Sequence, residues 1–235
     1  MRLLVFHGLN NNAAAFDSIR MEFAKLGYET EQIILPGHGD IREENFSFDK
    51  AYAAFDRQMQ EKALTPYVAI GFSTGALYLQ LWTQRNPAKA PLAQVLLAPA
   101  MFARNALPLS TLFRLLPKNI FIPSQTPPKL RRYDRLYIWE YRTLFEAMER
   151  FKKEVKEIKC PTMVIMDPKD ELVDEIELKK ELPKKIIFHS VKRPYLKGKR
   201  PGKYHIIFHP DYLSEEHWKW LLKETDGFFK SSLAA

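Results

Sequence analysis

Apolar residues alternate between two rhythms along the front half of the chain. Arg2–Phe6, Glu31–Leu35, Tyr67–Phe72 and Gln94–Ala98 are short apolar stretches ended by turn residues, the pattern of buried strands. Between them apolar positions recur at helical spacing. Phe16, Ile19, Phe23 and Leu26 mark a helix over Ala13–Leu26, with Gly27 after it. Phe48, Tyr52, Phe55 and Met59 mark a second over Ser47–Leu64, and Gly75–Arg85 reads as a third. Strands and helices in strict alternation predict βαβ units and a parallel sheet covered on both faces.

The rhythm breaks after Ala100. Residues 101–135 carry Pro108, Pro117, Pro123, Pro127 and Pro128 and show little sustained periodicity. A helix over Tyr137–Glu157 follows, then a strand at Thr162–Met166, a short helix at Glu175–Leu182, a last strand at Lys185–Val191 and a closing helix at Tyr212–Phe229. The pattern predicts a single domain over 1–235, with about 101–157 inserted between two sheet strands. Most apolar residues of the insertion are expected to pack it onto the sheet: Met101, Phe102, Leu109, Leu112, Phe113, Leu115, Leu116, Ile120 and Phe121.

Composition narrows the function classes. With 46% hydrophobic and 13% aromatic residues among 235, the chain can build a large core, which excludes a disordered tail. The single cysteine, Cys160, excludes an intramolecular disulfide framework and a cysteine-based zinc site. No apolar run approaches the roughly 18 residues of a membrane span, and MRLLVF is too short for a signal peptide. A cytoplasmic location is the expectation.

Gly71-Phe72-Ser73-Thr74-Gly75 is a G-x-S-x-G motif, for which composition alone predicts about 0.01 chance matches. It follows a strand and opens a helix. That setting puts a serine on a sharp turn with its hydroxyl above the sheet, and the two glycines leave room where side chains would collide. The turn also aims N–H groups of the helix start at a reacting carbonyl.

On these residues the chain resembles the α/β-hydrolase superfamily, and within it the carboxylesterase and monoacylglycerol-lipase-like enzymes. The further marks are His7-Gly8, the turn Pro36–Gly39, an insertion from 101, Cys160-Pro161-Thr162, an acidic loop from Asp167 and a late histidine near His205. The resemblance covers nearly the whole chain. It implies an α/β-hydrolase fold with a mostly parallel sheet of about six strands, helices on both faces and a small lid. The usual two N-terminal strands have no room before Arg2.

The resemblance also implies a chain order of serine, acid, histidine. It makes Ser73 the expected nucleophile. The acid falls at Asp170, three residues before Val173, with Asp167, Glu171 and Asp174 as rivals; Asp174 and Glu175 also suit a solvated helix start. The base falls at His205, with His209 as rival. His189 lies within a strand and His217 in a charged helical stretch. The oxyanion donors are the backbone N–H groups of Leu9 and Thr74. His7 and His38 read as structural, on chain-order grounds.

The implied activity is a serine hydrolase cleaving carboxylic esters through an acyl-enzyme, without cofactor or metal. The substrate would be a small acyl ester. A thioesterase acting on acyl-CoA or an acyl carrier protein is the alternative, and a non-catalytic receptor on the same fold a further one.

The net charge of +8 is uneven. Residues 1–100 hold nine Lys+Arg against ten Asp+Glu, and residues 101–235 hold 27 against 18. Two segments, 104–135 and 192–203, each carry a net +6. Neither carries a nucleic-acid-reading motif, so no nucleic-acid partner is expected. Two readings stand: a basic rim at the site mouth, facing an anionic lipid surface, an acidic carrier protein or a negatively charged substrate, or a solvated surface loop.

Overall fold

The computed structural model describes residues 1–39, 42, 47–155, 157–192 and 204–234. The chain builds strands β1 (Arg2–Phe6), β2 (Glu29–Ile33), β3 (Tyr67–Phe72) and β4 (Gln94–Leu97), then a hairpin of β5 (Phe121–Pro123) and β6 (Arg135–Tyr137), then β7 (Thr162–Met166) and β8 (Ile187–Ser190). Six of them form one sheet in the order β2-β1-β3-β4-β7-β8, every neighbouring pair parallel. This is the α/β-hydrolase fold with a six-stranded sheet.

Burial explains the order. RLLVF, YVAIGF, QVLL and TMVIM are apolar on both faces and take the four central places, where both faces are covered. The edge strands β2 (ETEQI) and β8 (IFHS) are half-exposed. On β2, Glu31 pairs with Arg2 at 2.9 Å across the sheet and with Lys62.

Helices α1 (Asp17–Lys25), α2 (Phe48–Lys62), α3 (Thr74–Arg85), α4 (Ala106–Leu115), α5 (Ile138–Glu154), α6 (Glu175–Glu181) and α7 (Glu215–Ala234) cover the sheet on both sides. α1 packs on β2 and α7, while α3 packs on β3 and α5, which also meets α2. α3 has no polar face to spare: it is buried from Thr74 through Thr83. Among the described residues, no helix is long and apolar enough to cross a membrane.

The structure departs from the sequence pattern in three places. The helix expected over Ala13–Leu26 opens as a 3-10 turn, Ala13–Phe16, capped by the Asn12 side chain, before α1 begins. The strand expected over Glu31–Leu35 is shifted back, because Arg2 pairs with Glu29 and Phe6 with Ile33. Leu35 leaves the sheet and donates its N–H to His7 Nε2 at 2.9 Å.

Third, the segment expected to lack periodicity contains α4 and the β5–β6 hairpin. Pro108 disguises α4, yet it sits in the first turn, where no intrahelical N–H partner is required. Nor do most of the insertion's apolar residues pack inward. Met101 and Phe102 are buried and Phe113 and Leu116 half-buried, whereas Leu109, Leu112, Leu115, Ile120 and Phe121 are exposed. The basic segment 192–203 lies outside the described residues beyond Lys192.

Candidate active site

Ser73 sits where β3 turns into α3, at φ 50° and ψ −117°. A positive φ is costly for a residue with a Cβ, and it holds only because packing enforces it. Two glycines allow that packing. A Cβ on Gly71 would lie 2.8 Å from Ala76 Cα, and one on Gly75 would lie 2.7 Å from the Phe6 carbonyl carbon and closer still to the His7 carbonyl oxygen. The start of α3 therefore presses directly on the end of β1.

Asp170, Ser73 and His205 come together at the ends of β7, β3 and the loop before α7. His205 Nε2 lies 2.9 Å from Ser73 Oγ, and His205 Nδ1 lies 2.8 Å from Asp170 Oδ2. All three are buried. The other carboxylate oxygen of Asp170 accepts the N–H groups of Leu172 (2.8 Å) and Val173 (2.9 Å). Burial pushes the Asp170 carboxyl up, but the His205 ring and these N–H donors outweigh it and hold it below its usual value. An ionised Asp170 places the ring proton on Nδ1 and leaves Nε2 to accept the Ser73 hydroxyl. The Phe72 ring packs against the His205 ring, with centroids 4.9 Å apart.

The rival residues have other partners. Asp167 is buried and accepts the Lys169 N–H at 2.8 Å, shaping the turn before Asp170. Glu171 accepts the backbone N–H of His205 at 3.1 Å. Asp174 caps α6 through the N–H groups of Ile176 and Glu177. Glu175, expected in solvent, is buried and bonds Lys179 and Ser190. His209 Nδ1 accepts the Asp211 N–H, His217 bonds Ser214 at the start of α7, and His189 meets the Trp220 ring edge-on.

Leu9 and Thr74 line one small cavity of about 40 Å³ together with Leu35, His38, Tyr78 and Trp139. Neither this cavity, which reaches the site through Thr74 beside Ser73, nor the larger groove of about 570 Å³ between α4 and α5 is lined by Ser73, Asp170 or His205 themselves. His38 lines the small cavity, and the His7 ring lies behind that of His38 with centroids 5.0 Å apart. Each ring accepts a backbone N–H at Nε2, from Leu35 (2.9 Å) and Asn10 (2.7 Å), and meets a carbonyl at Nδ1, of Gly8 (2.8 Å) and Pro36 (3.1 Å). Burial, and for His7 the neighbouring His38, lowers these rings to about 3 and about 4. They are neutral braces at pH 7.

A family model described as serine aminopeptidase, S33, matches residues 1–138. The chain belongs to this hydrolase family. The matched stretch includes Ser73 and stops before Asp170 and His205. No curated protein matches. Among solved structures, a soluble variant of monoglyceride lipase from Saccharomyces cerevisiae, in complex with a substrate analog, aligns with TM-score 0.77 and 11% identity over 98% of this chain and 86% of that one. A monoacylglycerol lipase from Paleococcus ferrophilus aligns with TM-score 0.69 and 20% identity over 94% of both. A thioesterase domain from the curacin biosynthetic pathway aligns with TM-score 0.57 and 18% identity over 81% of this chain and 85% of that one. These likenesses show the fold.

Two features of this S33 hydrolase escape sequence reading. Arg104 counts only as one cation of a basic segment, yet its guanidinium donates to the carbonyls of Asp170 (2.7 Å) and Pro168 (3.3 Å) and so holds the acid loop. The main chain adds to this hold, with Arg104 N–H to the Leu172 carbonyl and Asp174 N–H to that of Phe102, both at 2.8 Å. The run Asn10-Asn11-Asn12 binds the insertion. Its only sequence signal is three amide side chains directly after a strand-ending His-Gly.

Proposed function

We propose that this S33 hydrolase cleaves carboxylic esters through a Ser73–His205–Asp170 triad, in the manner of a carboxylesterase or monoacylglycerol lipase. The observation that carries the reading is the unbroken hydrogen-bonded line from Asp170 Oδ2 through the His205 ring to Ser73 Oγ. His205 Nε2 takes the Ser73 proton as Oγ bonds to the acyl carbon. The carbonyl electron pair moves onto oxygen, which the Leu9 and Thr74 N–H groups bind. As the tetrahedral species collapses, the C–O bond to the alcohol breaks and His205 gives its proton to the leaving alkoxide. Water then attacks the acyl-enzyme with the same proton transfers and releases the acid. Asp170 holds the ring tautomer and stabilises its charged form.

The insertion over about 101–157 acts as the lid of a single domain. Its α4 carries Leu109, Leu112 and Leu115 at 38%, 48% and 80% exposure on one helical stripe. Exposed Arg114 and Lys118 lie beside it. An apolar stripe with flanking cations suits an anionic lipid surface better than open water. Stronger binding to anionic than to neutral vesicles is expected, and equal binding at low salt would count against it.

The test of the enzyme reading is fluorophosphonate labelling with turnover of p-nitrophenyl esters and matched thioesters of graded acyl length. Labelling and ester turnover should both vanish in Ser73→Ala while the melting transition stays. Unchanged turnover in that variant would overturn the reading. Preference for thioesters would replace the ester assignment with a thioesterase, and absence of labelling in the unaltered chain would favour a receptor.

A further inference from the structure

The loop after β1 is fastened on three sides. Asn10 sits at φ 59°, a left-handed conformation that asparagine tolerates better than most residues. It is fully buried, and each of its polar atoms is engaged. Its N–H donates to His38 Nε2 at 2.7 Å. Its side-chain amide donates to Ser124 Oγ (2.7 Å) and the Tyr133 carbonyl (2.8 Å), and its Oδ1 accepts the Tyr133 N–H (2.9 Å). Its carbonyl accepts the Arg132 N–H at 2.8 Å. Asn11 Oδ1 accepts the Gly8 N–H at 3.0 Å, and Asn12 donates its N–H to the Leu130 carbonyl at 2.9 Å.

This wiring singles out one group. Across Gly8–Asn12 the N–H groups of Gly8, Asn10, Asn11 and Asn12 are donated within the protein, while that of Leu9 has no partner among the described residues. Leu9 is the residue that shares its cavity with Thr74. A donor stabilises an oxyanion in proportion to how well it is fixed before charge develops. The bonds on either side of Leu9 supply that fixation; the Asn10 N–H is held by His38, and the Asn10 side chain and carbonyl are held by the insertion.

We infer that Asn10 is a positioning residue that sets the Leu9 N–H for the oxyanion, using residues 124–133 of the insertion as a rigid buttress. This rests on the ester-hydrolysis reading and adds to it. It divides the insertion in function: the part around Ser124 and Tyr133 belongs to the active-site scaffold, and only the remainder is available as a moving cover. It also gives part of the basic segment 104–135 a structural task, since Lys129 and Arg131 offer their carbonyls to Asn12 Nδ2 at 3.0 and 3.3 Å.

The experiment compares the unaltered chain with Asn10→Asp, Asn10→Ala and Ser124→Ala. The readouts are kcat and KM on a p-nitrophenyl ester, and affinity for a boronic acid that forms a tetrahedral adduct. Asn10→Asp turns two donors into a carboxylate facing the Tyr133 carbonyl, Asn10→Ala removes every side-chain bond, and Ser124→Ala removes one acceptor. Both Asn10 variants should lose about 10- to 100-fold in kcat, with KM within about twofold. Boronate affinity should fall in step, and Ser124→Ala should show a smaller loss of the same kind. If Asn10→Ala fails to fold, Ser124→Ala carries the test. Losses confined to KM or to folded fraction, or unchanged kcat in an active parent, would overturn the inference alone. An unaltered chain that neither turns over ester nor takes a fluorophosphonate label would overturn the ester reading and this inference with it.

Discussion

The Glu171 carboxylate holds the main chain of His205, accepting its N–H at 3.1 Å, while the adjacent Asp170 takes the ring. Two successive side chains of one loop thus fix both the backbone and the tautomer of the proposed base. Glu171→Gln keeps an acceptor oxygen and should leave turnover close to that of the parent. Glu171→Ala removes a bond of about 1 kcal/mol and should lower kcat roughly fivefold with KM unchanged, read by steady-state kinetics. Equal activity of the two variants would show that the anchor is idle.

Asp170 and Asp167 are both buried aspartates of the same loop, but only Asp170 is bonded to His205 among the interactions described. Asp170→Asn should misset the ring tautomer and lower kcat by about 10³- to 10⁴-fold. Asp167→Asn keeps an acceptor for the Lys169 N–H and should cost less than about threefold. Similar losses at the two positions would contradict the assignment.

Gly75 has no room for a methyl group. The collision would be with the main chain of Phe6 and His7 in the sheet centre, which cannot give way as a side-chain tip can. Gly75→Ala is expected to lose about 3 kcal/mol or more of stability, visible in chemical denaturation. A stable, active variant would mean that α3 can withdraw from β1.

The buried imidazoles predict a pH dependence above the carboxylate range. In the folded chain His7 and His38 titrate near 3 and 4, chiefly because burial disfavours the charged ring, whereas in the unfolded chain both titrate near 6.5. Their contribution is therefore complete above pH 6.5. It declines as pH falls, because the unfolded chain takes up protons that the folded one refuses. Each ring can cost up to about 1.4 kcal/mol per pH unit in that window. The melting temperature should already drop between pH 6.5 and 5, and a flat profile there would contradict buried neutral rings.

The sheet was readable because its central strands are buried on both faces, so unbroken apolar runs such as Tyr67–Phe72 can hardly be anything else. The resemblance places the acid at Asp170, and the spacing to Val173 has a local counterpart in the structure, where Asp170 Oδ1 accepts the Val173 N–H. What escaped the sequence depends on partners far along the chain. The end of α4 is closed by Arg142, whose guanidinium gathers the carbonyls of Phe113, Arg114 and Leu116. The β2 register is set by pairing with β1, not by the Ile33-Ile34-Leu35 run that draws the eye. The leucines of α4 mislead because apolarity there marks an exposed face.

Strand order has a consequence for how the molecule comes into being. β1 to β4 are neighbours in the sheet and consecutive along the chain, so a nascent chain of little more than 100 residues already holds every strand around the Ser73 turn. The groups that would activate that hydroxyl emerge later, Asp170 first and His205 after it. On the proposed reading, the turn that carries the serine is complete in sequence long before its acid and base exist, and a chain broken off before His205 carries that turn without the proposed base.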